Sequence, residues 1–99
     1  MIELNSSQRR RLKSLAHHLE PVVMVGRKGF SENLSKAVDK ALSDHELIKI
    51  KFVDLKDEKR ELTDEIISSV NASLVGIIGN IAILYRENPD IPAKERIRV

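Results

Sequence analysis

The chain has 99 residues, 41% of them apolar and 32% charged, and a net charge of +2. This length corresponds to one domain that buries roughly 60–70% of the surface exposed by the unfolded chain. The absence of cysteine excludes disulfides, thiolate metal sites and a cysteine nucleophile, and it fits a reducing compartment. No apolar run reaches the ~20 residues that a bilayer requires, and the N-terminus has no signal-peptide core, so we expect a cytoplasmic protein without membrane association.

The charges are unevenly distributed along the chain. Residues 1–28 carry six basic side chains against two glutamates, a net charge of +4. Residues 54–65 carry six acidic side chains against three basic ones, a net charge of −3. A basic N-terminal third favours an anionic partner at that end of the molecule. Similar asymmetry is common in small domains, so charge alone leaves this open.

The first predicted element is a helix over residues 5–19. Asn5 and Gln8 have the spacing of a capping box, and Pro21 ends the segment. The apolar stripe of this helix follows the spacing i, i+3, i+4 and i+7, and consists of Leu12, Leu15, Ala16 and Leu19. At about 100° per residue the basic side chains fall away from the stripe. Arg10, Lys13 and His17 are predicted opposite it, and Arg9 and Arg11 on its flanks.

Six further elements follow in chain order. We expect a short buried strand at Val22–Val25, a helix over residues 31–43, a strand from Glu46 to Val53, a helix from Asp57 to about Ala72, and strands at Leu74–Ile78 and Ile81–Tyr85. Within the second helix, lysines and acidic residues mix on the outer face, which favours intrahelical pairing. The last two predicted strands are joined by Gly79-Asn80, a strong two-residue hairpin signal.

The strand from Glu46 to Val53 alternates in polarity. Ile48, Ile50 and Phe52 point to one face, and Lys49 and Lys51 to the other, which predicts one solvated face. The order αβαβαββ predicts an α/β fold, an α+β two-layer sandwich with a mixed four-stranded sheet and packed helices. Strands joined through a helix should be parallel, and the final hairpin antiparallel.

The tetrad Gly26-Arg27-Lys28-Gly29 is the most informative motif, because it joins a predicted strand to a predicted helix. Glycines turn the backbone through dihedral angles closed to other residues and let a partner approach closely. The first N–H groups of a helix favour anions. The tetrad is either a phosphate grip or a tight turn with two solvated charges. Gly76-Ile-Ile-Gly79 repeats the spacing inside an apolar run, so spacing alone does not decide.

No enzyme motif, metal site or cofactor site is predicted. His17 and His18 are adjacent on a helix and point about 100° apart, so they cannot share a metal ion. His17, beside Lys13, is instead expected to face an anionic partner and is counted with the candidate RNA-binding residues. The tetrad lacks the Walker pattern and the third glycine of a dinucleotide fingerprint. No serine lies in a Gly-x-Ser-x-Gly turn. The acidic residues between 57 and 65 follow helical spacing with Lys59 and Arg60 among them, which is typical of a solvated helix face.

Nucleic-acid binding fits the basic residues of the N-terminal third. Arg27 and Lys28 of the tetrad, with Arg9, Arg10 and Lys13 of the first helix, offer about five phosphate contacts. Phe30, Phe52 and Tyr85 are the only aromatic residues, so an exposed base-stacking sheet is disfavoured. We expect recognition of backbone and shape, with an affinity that falls steeply as salt rises.

Three sequence blocks resemble the CRM (chloroplast RNA splicing and ribosome maturation) domain family. They are Leu4–Lys13 with Leu15-Ala16-His17, Val25–Ser31, and Val75–Asn80 with Ile83–Arg86, in the order found in the family. The match runs from about Leu4 to Arg86, and its length is similar to that of the free-standing bacterial YhbY-like members. Asn5 stands where many members have threonine, an exchange between good capping residues.

The resemblance implies a fold similar to the C-terminal domain of translation initiation factor three. It also implies RNA binding and association with precursors of the large ribosomal subunit. The family's glycine-bounded loop, likened to that of KH domains, maps onto Gly26, Arg27, Lys28 and Gly29. Its basic first helix maps onto Arg9, Arg10, Arg11 and Lys13. Residues 1–86 would form a single RNA-binding domain, a monomer, and residues 87–99 a tail without an assigned role.

Two other functions stay open at this point. One is a protein-interaction module with only incidental RNA binding, whose contact would be made by the apolar sheet edge of the final hairpin or by the tail. The other is a small enzyme, for which the sequence offers no catalytic constellation. Nuclease treatment of a pull-down would discriminate the first from an RNA-binding protein.

Overall fold

Three helices and four strands alternate along the chain in the computed structural model, which describes residues 3–92, 94 and 97. The elements are α1 (Ser6–Ala16), β1 (Val23–Val25), α2 (Glu32–His45), β2 (Leu47–Phe52), a single 3₁₀ turn (Lys56–Glu58), α3 (Lys59–Val70), β3 (Ser73–Ile78) and β4 (Ile81–Tyr85). The predicted order αβαβαββ is confirmed. Within the described ranges no helix has the length and apolar character needed to cross a membrane.

The four strands form one mixed sheet in the order β1-β2-β4-β3. β1 and β2 are parallel, with Val23 opposite Ile50. β4 is antiparallel to both of its neighbours, β2 and β3. β2 and β3 therefore run in the same direction, as strands joined through a helix should, but β4 lies between them. Gly79 has a φ of +58° in the β3–β4 turn, which confirms the predicted hairpin.

The helices occupy both faces of this sheet. α2 and α3 pack on one face, where Ile48, Ile50 and Phe52 of β2 are at most 1% exposed. α1 packs alone on the other face, which we call the α1 face, against Leu47, Val75, Ile83 and Tyr85. The face of β2 that was predicted to be solvated is therefore covered by α1 at Leu47, while Lys51 stays exposed. Alternation along β2 divides its side chains between two different environments.

The capping box predicted for α1 is present, but the helix ends earlier than predicted. Asn5 Oδ1 accepts the Gln8 N–H at 2.8 Å, and Gln8 Oε1 accepts the Asn5 N–H at 3.0 Å. The helix ends at Ala16 and not near residue 19. Lys49 Nζ, from β2, donates to the Leu19 carbonyl at 3.0 Å. The Leu19 N–H donates to the Ala16 carbonyl at 2.9 Å, so the chain turns after Ala16, and the Lys49 bond ties this turn to β2.

The predicted apolar stripe of α1 is only half correct. Leu12 and Ala16 are fully buried, whereas Leu15 is 42% and Leu19 38% exposed. Lys13, predicted opposite the core, lies over β3 instead, because its Cε is 2.7 Å from the position that a Cβ of Gly76 would occupy. A strand glycine thus makes room for a lysine side chain, and the helix turns that side toward the sheet.

β1 is an edge strand with one exposed side, so the prediction of a buried strand was wrong in part. Val23 and Val25 are buried, while Val22 is 50% and Met24 52% exposed. The reason is that α2 covers one side of β1, whereas α1 packs on β2 and β3 on the other side of the sheet. An apolar run alone cannot distinguish a strand that is covered on both sides from an edge strand that is covered on one.

Two sets of polar contacts lie at the ends of the core. The Arg86 guanidinium donates to Asp39 Oδ1 at 2.7 Å and to the Val70 carbonyl at 2.8 Å, and so joins β4 to α2 and α3. The Glu46 carboxylate accepts the backbone N–H groups of Asn88 at 2.7 Å and Ile97 at 3.0 Å. Part of the predicted tail therefore lies against the domain. Lys94 is exposed, and Arg96 and Arg98 lie outside the described residues.

Candidate nucleic-acid interface

The glycine tetrad forms a tight turn at the carboxyl end of β1. The Gly29 N–H donates to the Gly26 carbonyl at 3.0 Å, and this bond places Arg27 and Lys28 at the tip. Both side chains are exposed. Neither makes a hydrogen bond or an ion pair with any residue that the structure describes. The turn is therefore well defined, and its two cations are available to a ligand.

The two glycines of this turn do different things. Gly29 is buried at a φ of +63°, and a Cβ there would lie 3.1 Å from Leu55 Cδ1 and 3.6 Å from Leu62 Cδ2. Both the backbone conformation and the packing of the turn require glycine at this position. At Gly26 an added Cβ would have nothing within 4 Å. The open space at Gly26 is therefore the place where a ligand can approach the main chain.

The amino end of α2 contributes less to an anion site than its position suggests. Ser31 Oγ accepts the Leu34 N–H at 3.1 Å, so the N-cap uses one of the first helix donors. Glu32 places a carboxylate in the same turn and pairs with Lys36 at 3.4 Å. A negative side chain beside a bound anion opposes it. Arg27 and Lys28 of the loop are therefore the main source of attraction for an anion.

An acidic segment lies next to the loop. Leu55, which packs against Gly29, is followed by the 3₁₀ turn Lys56–Glu58 and preceded by Asp54. Asp57 and Glu58 are exposed in this turn. A polyanion on Arg27 and Lys28 is repelled from that side. Its favoured path leads away from residues 54–58.

The basic residues of α1 do not form one continuous track. Arg10 and Arg11 line a shallow concavity on the outer surface of α1, together with Ser7, Ser14 and Leu15. The Arg9 guanidinium donates instead to the Leu4 carbonyl at 2.8 Å and helps to hold the segment before the helix. Arg10 and Arg11 thus lie together on the outer surface of this helix.

Lys13 and His17, the other two predicted site residues of α1, lie apart from that concavity. Lys13 lies over Gly76 of β3. His17 lies in the turn after the helix, with its ring 5.2 Å from the His18 ring in an edge-on arrangement. Since α1 packs on the face of the sheet opposite α2, a ligand that contacts both α1 and the loop has to cross the end of the sheet.

Two residues near the loop were not assigned to the site from the sequence. Phe30 follows Gly29 directly, and 37% of its surface is exposed. Lys51 is exposed on β2, opposite Met24 of β1. The alternation of β2 predicted the exposure of Lys51, but only the register places it beside the base of the loop. The position of Phe30 after a glycine gave no signal for its exposure.

Comparison with known proteins places this chain in a family. The model of the CRS1 / YhbY (CRM) domain matches residues 4–86. A probable RNA-binding protein of Pseudomonas aeruginosa is 40% identical over 87 residues, covering 87% of this chain and 84% of that protein. An RNA-binding protein of Haemophilus influenzae is 40% identical over 91 residues, covering 91% of this chain and 92% of the other.

A solved structure shows the same fold. The solution structure of a Staphylococcus aureus protein suggested to bind RNA is similar with a TM-score of 0.78 at 34% identity, covering 91% of this chain and 95% of that one. The α/β fold is thus shared with a protein that has been suggested to bind RNA. The chain belongs to the CRS1 / YhbY (CRM) domain family.

Proposed function

We propose that this chain is a non-enzymatic RNA-binding protein that acts in assembly of the large ribosomal subunit. The observation that carries the proposal is the turn at Gly26–Gly29, where a buried glycine and a backbone hydrogen bond present two exposed cations. A rigid turn loses little conformational entropy when it binds, so its cations are suited to gripping phosphates. The relatives described as RNA-binding proteins support the same partner.

In the proposed mechanism the loop acts as a phosphate clamp. Arg27 and Lys28 neutralise neighbouring phosphates, and the open side of Gly26 lets the RNA backbone approach the main chain. Arg10 and Arg11 extend the positive surface on α1. Arg9 supports the start of that helix through its bond to Leu4, and Lys13 and His17 border the α1 face.

The ribosomal part of the proposal rests on the family resemblance. Precursors of the large subunit offer structured RNA with closely spaced phosphates, which suits a clamp of this kind. The proposal confines RNA binding to residues 1–86 and gives residues 87–99 no part in it. It further holds that the protein acts as a monomer in the cytoplasm and uses no metal or cofactor.

Charge reversal in the loop tests the clamp. In fluorescence anisotropy with a structured fragment of large-subunit ribosomal RNA, we expect Arg27→Glu/Lys28→Glu to weaken binding at least about 100-fold, because two attractions become repulsions. The thermal midpoint should stay nearly unchanged, since both side chains are exposed and make no described contact.

The matched control reverses two exposed lysines of α2, in Lys36→Glu/Lys40→Glu. These lysines are 72% and 78% exposed and pair only with Glu32 and Asp44 within the described part of the chain. We expect this variant to lose less than about fivefold in affinity. Equal binding by wild type and the folded loop variant would contradict the clamp. Equal loss of affinity in both variants would show that RNA binding depends on the overall charge of the protein and not on the loop.

A further inference from the structure

Within the part of the chain that the structure describes, one row of the sheet is left partly open on the α1 face. In this row Met24 of β1 lies opposite Lys51 of β2, Lys51 opposite Ile81 of β4, and Ile81 opposite Ile78 of β3. We call these four residues the end row. Met24 is 52% and Ile78 59% exposed, Lys51 is exposed, and Ile81 is half-buried. Apolar side chains exposed singly are common, whereas this row places two exposed apolar side chains and an exposed lysine in line across the sheet.

Neighbouring contacts show that the end row lies on the α1 face and that, of its four residues, Ile81 packs against the cluster covered by α1, which contains Leu12 and Ala16. Lys49, two residues before Lys51, bonds to the Leu19 carbonyl just after α1. In the preceding row, Gly76 lies opposite Ile83 and is covered by Lys13. The covering by α1 thus leaves Met24, Lys51 and Ile78 of the end row exposed.

The end row is continuous with the proposed clamp. Met24 lies two residues before Gly26, so the row begins at the base of the loop and crosses to the β3–β4 turn. Four strands at their usual spacing make it about 14 Å long. Lys51 lies between Met24 and Ile81 in the row, and Lys13 borders the row. The acidic segment 54–58 lies next to the loop, where Leu55 packs against Gly29.

This pattern of apolar, cationic and apolar side chains is complementary to an unpaired nucleic-acid strand. The base faces are apolar, and the phosphates between them are anionic. Aliphatic side chains make no hydrogen bonds to the bases, so such a contact does not depend on the base sequence of the RNA. A protein partner would need a carboxylate to meet Lys51 in the middle of its own apolar surface. Continuity with two exposed loop cations favours RNA.

We propose that the end row binds unpaired RNA bases, an inference that rests on the RNA-binding function proposed above. Bases pack against Met24, Ile78 and Ile81, and Lys51 holds a phosphate between them. The protein then recognises a junction, with phosphates of a folded region on the loop and an adjoining single strand on the end row. Uninterrupted duplex would fill only the loop.

Two RNA probes test this inference in fluorescence anisotropy. One is a hairpin with a fully paired stem, and the other is the same hairpin with a six-nucleotide single-stranded extension. Wild type is expected to bind the extended RNA about tenfold more tightly. Met24→Gln/Ile78→Gln should remove this preference to within twofold and leave hairpin binding unchanged. Leu19→Gln, at an exposed apolar residue in the turn after α1, is the control and should keep the preference.

The outcomes separate the end row from the clamp. Weakened binding of both probes by Arg27→Glu/Lys28→Glu, with the end-row variant affecting only the extended RNA, supports both proposals. A preference that persists in the folded Met24→Gln/Ile78→Gln variant overturns the end row and leaves the clamp standing. Failure of wild type to bind either RNA overturns the proposed function itself.

A second readout does not depend on affinity. The chain has two methionines, Met1 and Met24, so ¹³C-methyl methionine labelling gives one reporter in the end row and one reference. Stacked bases are expected to move the Met24 methyl proton signal upfield when the extended RNA is added, but not when the hairpin is added. An unmoved Met24 signal in saturated complex overturns the proposal and leaves the row to a protein partner.

Discussion

The two faces of the sheet differ in how completely they are covered, and this difference separates stability from binding. On one face α2 and α3 bury Ile48, Ile50 and Phe52 almost completely. On the other face α1 buries Leu47 but leaves Lys51 exposed. Both sets of side chains come from the single strand β2. One strand therefore serves the core with alternate residues and a surface with the others.

The covered face of the sheet also supports the exposed loop. Gly29 is held by Leu55 and Leu62, and Leu62 belongs to the core under α3. The covered face thus anchors the base of the turn, while its tip carries Arg27 and Lys28. A ligand on the tip meets a preorganised site, which reduces the entropy that binding costs.

The largest effect on the free energy of unfolding is expected from truncating a buried side chain on the covered face. Phe52→Ala should lower the free energy of unfolding by about 3–5 kcal/mol, because it removes a fully buried ring and leaves a cavity. Met24→Ala, on the open row of the same sheet, should change it by less than about 0.5–1 kcal/mol. Urea unfolding followed by circular dichroism measures both.

Equal losses in these two variants would contradict the division of the sheet into a covered and an open face. Ile50→Val provides a milder check, because it removes one methyl group at a fully buried position and should cost about 0.5–1.5 kcal/mol. It keeps the protein folded if Phe52→Ala does not fold.

A smaller effect distinguishes the two glycines of the loop. Gly29→Ala should cost about 1–2 kcal/mol of unfolding free energy, since alanine is strained at a φ of +63° and its Cβ meets Leu55. Gly26→Ala should be neutral or slightly stabilising, because its Cβ enters open space and the unfolded chain loses freedom. The same substitution at Gly26 should nevertheless reduce RNA affinity, since its methyl group blocks the main chain.

Thermal unfolding and anisotropy on the same two proteins check this pair. Loss of stability at Gly26 would show that the structure, not a ligand, requires that glycine. Full RNA affinity in Gly26→Ala would remove close backbone approach from the mechanism and leave the two cations as the grip.

Local signals in the sequence predicted much of this fold. The capping box at Asn5 and Gln8, the turn at Gly79-Asn80 and the alternation of β2 each depend on residues close together in the chain. Intrahelical pairing of the α2 lysines was predicted for the same reason, and Lys36 pairs with Glu32. Lys40 pairs with Asp44, which lies beyond the predicted end of that helix.

The features that were missed depend on contacts between distant residues. The end of α1 at Ala16 involves Lys49, and the rotation of α1 requires the space over Gly76. The exposure of Met24 follows from where α1 lies, and not from the apolar run in which Met24 stands. In the candidate site the loop was recognisable as a motif, but its continuity with Lys51 and Ile78 appears only in the register of four strands.

The central claim is that Arg27 and Lys28 contact RNA phosphates, and the salt dependence of binding tests it most directly. Each phosphate contact contributes about 0.7–0.9 to the slope of log K against log salt concentration. We predict that the neutral variant Arg27→Gln/Lys28→Gln lowers this slope by about 1.5 relative to wild type on the same ribosomal RNA fragment. An unchanged slope would contradict the claim, because the two loop cations would then displace no counterions from the RNA.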